Sequence, residues 1–206
     1  MDGMRSSWSR AWQAVGGAAD EPLYERLIAA WSQAHRRYHT LQHLGECLER
    51  LTGVAHLAER PSEIELALWF HDAVYDVRRD DNETLSAGWL RQAALEADAP
   101  AEVATRLHDP VVATRHEGEP ATTDEALLVD IDLAILGAPV ERFDEYERQV
   151  RDEYAWVPEA DFQRARGPLL AGFLARPAIY RTPHFHGELE AAARANLARS
   201  MMQLGS

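Results

Sequence analysis

The stretch "IELALWFHDAVYD", residues 64–76, decides the fold of this chain. Its apolar residues are dense on all sides of the helix that it predicts, and a helix that is apolar all round is buried. We expect this helix to begin at Ser62, because Ser62 and Glu65 have the spacing of a capping box. The pair His71-Asp72 lies near its end, and an aspartate is almost never fully buried unless it is paired or binds a metal. The stretch is therefore predicted to be the centre of the fold and part of a site.

The pattern is helical along nearly all of the remaining chain, because strand-like alternation is absent and β-branched residues are scattered. Asp20 is expected to cap one helix, with Pro22 in its first turn. Another helix is expected to start at Thr40, and Thr122 with Glu125 fits a second capping box. These signals predict an all-α fold of about eight to ten helices.

We expect residues 1–206 to form a single all-α domain. Its core helices are predicted over about 20–137, and its C-terminal helices over about 139–203. The segment 176–187, "RPAIYRTPHFHG", contains several turn signals and is predicted to be a loop.

The charge balance restricts the partners. The 206 residues include 21 Lys and Arg against 34 Asp and Glu, a net charge of -13. Such a surface repels a polyanion, so no nucleic-acid polymer is expected as a partner. No apolar run approaches the ~18 residues that a membrane span needs. No signal peptide is recognised, and a soluble cytoplasmic protein without a membrane partner is predicted; a homodimer is left open.

Candidate metal ligands occur in three segments. In "HRRYHTLQHL", residues 35–44, His39 and His43 share a face if the helix extends back to the first of them. An adjacent His-Asp pair projects ~100° apart on a helix, so His71 and Asp72 can converge on one ion. Imidazole and carboxylate suit Zn, Mn, Fe, Co or Ni. For any one histidine the alternative is a hydrogen-bonded core residue.

The third segment is "LLVDIDLAIL", residues 127–136, with two aspartates in an apolar helix. Residues two apart do not share a face, so only one of Asp130 and Asp132 is expected to point into a cavity. Cys47 is the only cysteine, which excludes an internal disulfide and a Cys-rich zinc motif. It lies one turn beyond His43 and could be a soft ligand, but we interpret it as a small buried apolar residue.

Four blocks of the chain together carry a resemblance. "HRRYHTLQHL" (35–44), "ALWFHDAVYD" (67–76), "DNETLSA" (81–87) and "LLVDIDLAILG" (127–137) occur in the order seen in the HD superfamily of metal-dependent phosphohydrolases. More narrowly, they resemble a bacterial family of predicted HD-type phosphohydrolases of unassigned substrate. The resemblance runs from about residue 20 to the C-terminus and implies an HD-domain-like helical bundle.

The resemblance also implies a set of ligands. The first ligand histidine of the superfamily matches His43, its doublet matches His71 and Asp72, and its final aspartate best matches Asp132, with Asp130 as the rival. His39 stands where some relatives carry a proton donor. Those relatives usually have Asn at the next position, where this chain has Thr40.

The implied function is hydrolysis of a small phosphorylated molecule, with a nucleotide among the candidates. One divalent transition metal (Mn, Fe, Zn, Co or Ni, with Mg as a further candidate) would activate water. His39 and Asp72 are the expected catalytic residues. Contact with substrate or support of the ligands is expected from a second group: Arg36, Arg78, Glu83, His116 and Asp130.

Two other functions remain open. A helical protein could keep the metal site but sense a ligand or bind a partner without turnover. A purely structural scaffold would bind no metal, and replacing His43 or Asp72 would then change its stability little.

Overall fold

The computed structural model describes residues 2–18 and 20–204 of the chain. These residues form α-helices and two 3-10 helices, with no strand among them, which confirms the all-α prediction. The α-helices are α1 (Asp2–Ala14), α2 (Glu21–Trp31), α3 (Leu41–Val54), α4 (Pro61–Phe70), α5 (Asn82–Glu96), α6 (Ala101–Arg106), α7 (His108–Ala113), α8 (Thr123–Asp132), α9 (Val140–Glu153), α10 (Glu159–Ala175) and α11 (Pro183–Leu204). Only Leu107 separates α6 from α7, so the two count as one interrupted helix and the total agrees with the predicted eight to ten.

The chain divides into two compact units, Met1–Ile131 and Asp132–Ser206. The single domain expected from the sequence stays a prediction. None of the helices among the described residues has both the length and the apolar character that crossing a membrane requires.

Helix α4 is the centre of the first unit, as its sequence predicts. Every side chain from Ile64 to Phe70 is buried, and α1, α3, α5 and α7 all pack against this helix. Fully burying one large apolar side chain contributes ~1.5–3 kcal/mol, so this short helix carries a large share of the core. Helix α1, which the sequence-based prediction did not include, adds Trp8, whose ring centroid lies 5.2 Å from that of Trp69.

Three helix starts in the first unit have side-chain caps; Asp20 and Thr122 are predicted as caps, whereas Thr40 is predicted as the start of its helix and precedes it. The Asp20 carboxylate accepts a hydrogen bond from the Leu23 backbone N–H at 2.9 Å. The hydroxyl oxygen of Thr40 accepts from the Gln42 N–H, and that of Thr122 accepts from the Glu125 N–H. The start of α3 fixed by Thr40 places the site residues of that helix.

The predicted start of α4 at Ser62 is wrong. The helix begins at Pro61, with Arg60 at the N-cap and no side-chain cap. The carboxylate of Asp124 on α8 instead accepts hydrogen bonds from the Glu59 and Arg60 N–H groups, at 2.8 and 2.9 Å. This tertiary contact orients the chain before the helix, and proline is favoured at the first helical position.

The second unit contains the 3-10 helix Leu133–Gly137, which packs against α11. The Asn196 amide donates hydrogen bonds to the backbone carbonyls of Leu136 and Ala138, both at 2.9 Å. The predicted loop 176–187 is wrong in its second half, because α11 begins at Pro183. Thr182 accepts a hydrogen bond from the Phe185 N–H and so caps this helix.

Candidate metal centre

Helix α3 presents two potential ligands on one face. His43 and Cys47 are four residues apart, a spacing that places side chains one above the other. Both are 2% exposed. The Cys47 Sγ lies 3.7 Å from the Nδ1 and 3.8 Å from the Nε2 of His43. The sulfur therefore lies beside the imidazole ring, in the interior of the first unit.

His71 follows the last residue of α4 and is 1% exposed. Its Nδ1 lies 2.7 Å from the backbone carbonyl of Leu68. A carbonyl only accepts, so Nδ1 carries the hydrogen and Nε2 of the neutral ring presents its lone pair. That Nε2 lies 3.1 Å from the Nε2 of His43. Fixing the tautomer through the outer ring nitrogen is the usual way in which a metal-binding histidine is held.

The tautomer of His43 is linked to the direction of its hydrogen bond with Tyr38. Its buried hydroxyl oxygen lies 3.0 Å from His43 Nδ1. If the hydroxyl donates, His43 carries its hydrogen on Nε2 and donates it to His71. If the hydroxyl accepts from Nδ1–H, both Nε2 atoms present lone pairs to the same point, and only a cation or a proton satisfies both. The same contacts are thus compatible with a metal-free and a metal-bound state.

Two carboxylates complete the cluster. The Asp72 Oδ2 lies 3.0 Å from His71 Nε2 and 3.8 Å from His43 Nε2. Asp132, the last residue of α8, contributes an oxygen to a group of four ligand atoms that all lie within 4.8 Å of one another. The other members of that group are His43, Cys47 and His71, and Asp72 is not one of them. Asp130, fully buried on the same helix, is also outside it.

The donor spacing fits one ion. With metal–nitrogen distances of ~2.0–2.1 Å and tetrahedral angles, two ligand nitrogens lie ~3.3 Å apart. The two Nε2 atoms are 3.1 Å apart. The Asp72 Oδ2 lies 3.0 Å from the Nε2 of His71 and 3.8 Å from the Nε2 of His43. Nitrogen and carboxylate donors at such distances, with a sulfur beside them, could hold a divalent transition metal.

Cys47 is the residue that the sequence-based interpretation did not place in the site. The sequence favoured a small buried apolar role for it, but its sulfur belongs to the group of four ligand atoms. The signal in the sequence is its spacing of four residues from His43 on one helix.

Arg36 supports the backbone on which two predicted site residues lie. It is 2% exposed, and its guanidinium donates to the carbonyls of His39, Asp72 and Ala73 at 3.1, 2.7 and 3.0 Å. Its Nε donates to the Gln33 side chain. Arg36 therefore occupies a supporting position next to the ligands, and a contact with phosphate stays a prediction.

His39 and Arg78 lie outside the group of four ligand atoms. The half-buried ring of His39 stacks on Tyr75 with centroids 4.1 Å apart, and its centroid lies 6.1 Å from that of His43. It is thus next to the cluster without belonging to it. Arg78 is exposed in the loop after Asp72, where its backbone N–H donates to Asp76.

Asp72 and His116 both act electrostatically on Glu83. Burial raises the pKa of the Glu83 carboxyl, and the charge of Asp72 acts in the same direction, whereas Arg115 and His116 oppose it. Asp72, Arg115 and His116 are therefore each close enough to Glu83 to act on its carboxyl. Glu83 lies in the first turn of α5, which starts at Asn82 and has no side-chain cap.

Three further histidines pair with carboxylates outside the group of four ligand atoms. His108 lies 2.9 Å from the carboxylate of Asp109. His184 and His186 face Glu188 and Glu190 on α11 at 3.2 and 3.5 Å.

Comparison with known proteins adds no relative. No protein-family model, no curated protein and no solved structure matches the chain.

Proposed function

We propose that this chain is a metal-dependent phosphohydrolase that acts on a small phosphorylated molecule. The observation that carries the proposal is the pair of buried imidazoles, His43 and His71, whose Nε2 atoms are 3.1 Å apart beside carboxylate oxygens. The resemblance of the four sequence blocks to HD-type phosphohydrolases supports the same function.

The residues that would hold the ion are His43, His71, Asp72 and Asp132. When bound, a divalent ion would supply an activated water and a Lewis acid for the phosphoryl oxygen. Two carboxylates and two neutral imidazoles cancel the charge of such an ion, so the centre does not repel an anionic substrate despite the net charge of -13.

Nearby residues are suited to the remaining tasks. His39 is half-buried at the edge of the cluster, where an imidazole can give a proton to the leaving group. Arg115 and His116 interact electrostatically with Glu83, as Asp72 does, and Arg115 offers a guanidinium for phosphate oxygens. In this proposal, Arg36 keeps the Asp72 backbone in place rather than contacting substrate.

The test is phosphate release from a panel of phosphomonoesters and phosphodiesters. The full chain is treated with chelator and reloaded separately with Mn, Fe, Co, Ni, Zn or Mg. Asp72→Ala is compared with Asp109→Ala, which removes an exposed carboxylate paired with His108. We expect turnover that requires metal, that is lost in Asp72→Ala and that survives in Asp109→Ala. Turnover that is unaffected by chelation, or equal in the two variants, contradicts the proposal.

A second function is favoured by one observation, the sulfur of Cys47 among the ligand atoms. Structural metal sites are filled by protein ligands, whereas catalytic sites keep a position open. If Cys47 and all four other residues bind the ion together, water has little access, and the chain is a non-catalytic metal-binding protein that senses a ligand or binds a partner. Stoichiometric metal without turnover of any ester supports this alternative.

A further inference from the structure

We propose that Cys47 is a thiolate ligand of the metal and that it makes the centre select Zn²⁺, Co²⁺ or Fe²⁺ over Mg²⁺ and Mn²⁺. The inference rests on the metal centre of the proposed function and deepens it, because the resemblance to HD-type phosphohydrolases assigned no metal role to a cysteine.

The position of the sulfur carries the first step. With metal–sulfur distances of ~2.3 Å and metal–nitrogen distances of ~2.0–2.1 Å, tetrahedral angles place the sulfur ~3.6 Å from a ligand nitrogen. The Cys47 Sγ lies 3.8 Å from the Nε2 of His43. It also lies within 4.8 Å of the ligand atoms of His71 and Asp132. The four ligand atoms are therefore grouped closely enough for a single ion to lie among them.

The surroundings of the sulfur carry the second step. Cys47 is 2% exposed, so solvent does not compete for it. Apolar surroundings alone would make it an inert filler. It instead faces two imidazoles and a carboxylate, and a cation placed among these groups stabilises the thiolate. As the sulfur–metal bond forms, the S–H bond breaks and its proton leaves to solvent, with no change in oxidation state.

The chemistry of thiolate gives the selectivity. Thiolate is a soft ligand that suits zinc and iron, whereas Mg²⁺ and Mn²⁺ prefer carboxylate, carbonyl and water. Imidazole, thiolate and carboxylate are all donor types that zinc binds in tetrahedral sites. The Asp72 Oδ2 lies 3.0 Å from His71 Nε2, so that carboxylate stays within reach of the same ion.

The test is absorption spectroscopy of the full chain loaded with Co²⁺. A thiolate bound to Co²⁺ gives a charge-transfer band in the near ultraviolet, and the chain contains one cysteine, so such a band reports on Cys47 alone. We expect the band in the wild-type protein, its loss in Cys47→Ser and Cys47→Ala, and its retention in Glu46→Ala. Glu46 lies on the same helix but outside the group of ligand atoms.

Affinity measurements complete the test. We expect Cys47→Ser to weaken Zn²⁺ and Co²⁺ binding by more than the ~10–100-fold that loss of an outer-shell partner costs. Mg²⁺ and Mn²⁺ binding should change little, so the preference for the softer ions falls. Circular dichroism and thermal unfolding of the metal-free proteins show whether each variant is folded, and Cys47→Ala provides a second variant.

The outcomes separate this inference from the proposed function. Co²⁺ that binds to the wild-type chain without a thiolate band overturns the role of Cys47 and leaves the proposed hydrolase intact. Unchanged metal preference in both folded variants overturns it as well. A wild-type chain that binds no metal ion refutes the metal centre, and with it the proposed function.

Discussion

Replacing Tyr38 with Phe tests whether the Tyr38 hydroxyl supports His43 as a metal ligand. The Tyr38 hydroxyl oxygen lies 3.0 Å from His43 Nδ1, and the rings of the two residues are 4.7 Å apart. Phenylalanine keeps the ring and its packing and removes only the hydroxyl group. The variant therefore changes the outer contact of one ligand while all the proposed ligand atoms remain.

The expected magnitude follows from the protonation of His43. When Nε2 binds an ion, Nδ1 must carry the hydrogen, and the Tyr38 oxygen is its acceptor. Losing that acceptor in a buried position costs ~1–3 kcal/mol, which is about 5- to 150-fold in metal affinity. The metal-free protein loses less, because the Cys47 thiol, whose Sγ lies 3.7 Å from His43 Nδ1, can donate to that nitrogen in place of the hydroxyl. We thus expect weaker metal binding with little change in the stability of the metal-free protein.

The assay is competition of the protein with a chromophoric chelator for Zn²⁺, together with thermal unfolding of the metal-free chain. Tyr24→Phe is the matched control, because Tyr24 is also a buried tyrosine of the first unit and lies outside the cluster. We expect normal affinity in the control. If Tyr38→Phe is folded and binds Zn²⁺ as tightly as the wild-type chain, the tautomer argument is wrong.

Three further predictions concern neighbouring groups. His39→Ala should keep the metal and lose ~10²–10⁴-fold in turnover, as for a lost general acid, and unchanged ester hydrolysis would contradict that role. Arg36→Met should lower the free energy of unfolding in urea by about 3 kcal/mol, since one buried and two partly buried carbonyls lose their donor; a near-neutral effect would show that these hydrogen bonds of Arg36 are dispensable. Burial alone would raise the pKa of Glu190, but backbone hydrogen bonds from Ile179 and Tyr180 and the contact with Arg194 lower it overall. That contribution to stability is present above the unfolded-state pKa of ~4.3 and is lost as the pH falls through the folded-state value. Glu190→Gln should therefore unfold more easily than the wild type at neutral pH, with the difference shrinking in acid. A difference that grows in acid would reverse the assigned sign.

The predictable parts of the fold are those that depend on local sequence. The dense apolar content of residues 64–70 predicted a buried helix, and every side chain in it is buried. Asp20 and Thr122 cap their helices because a cap needs only neighbouring residues. The start of α4 could not be predicted in this way, because its preceding N–H groups bond to Asp124 on another helix.

The residues of the candidate site were predictable as far as spacing and resemblance select them. Spacing and resemblance selected His43, His71, Asp72 and Asp132, and the structure brings their side chains to one cluster. Periodicity could not choose between Asp130 and Asp132, because α8 ends at the second of them and a 3-10 helix follows. Which atoms meet depends on that change of helix type, which local sequence does not report.

The central claim is that these side chains form a metal centre, and element analysis tests it most directly. Plasma mass spectrometry of untagged protein, purified without added metal or chelator, is compared for the wild-type chain, His71→Ala and the surface control Asp109→Ala. We predict about one equivalent of a transition metal in the wild type and the control, and none in His71→Ala. A wild-type chain that contains no metal and takes up none of Mn, Fe, Co, Ni or Zn would make the cluster structural and contradict the account.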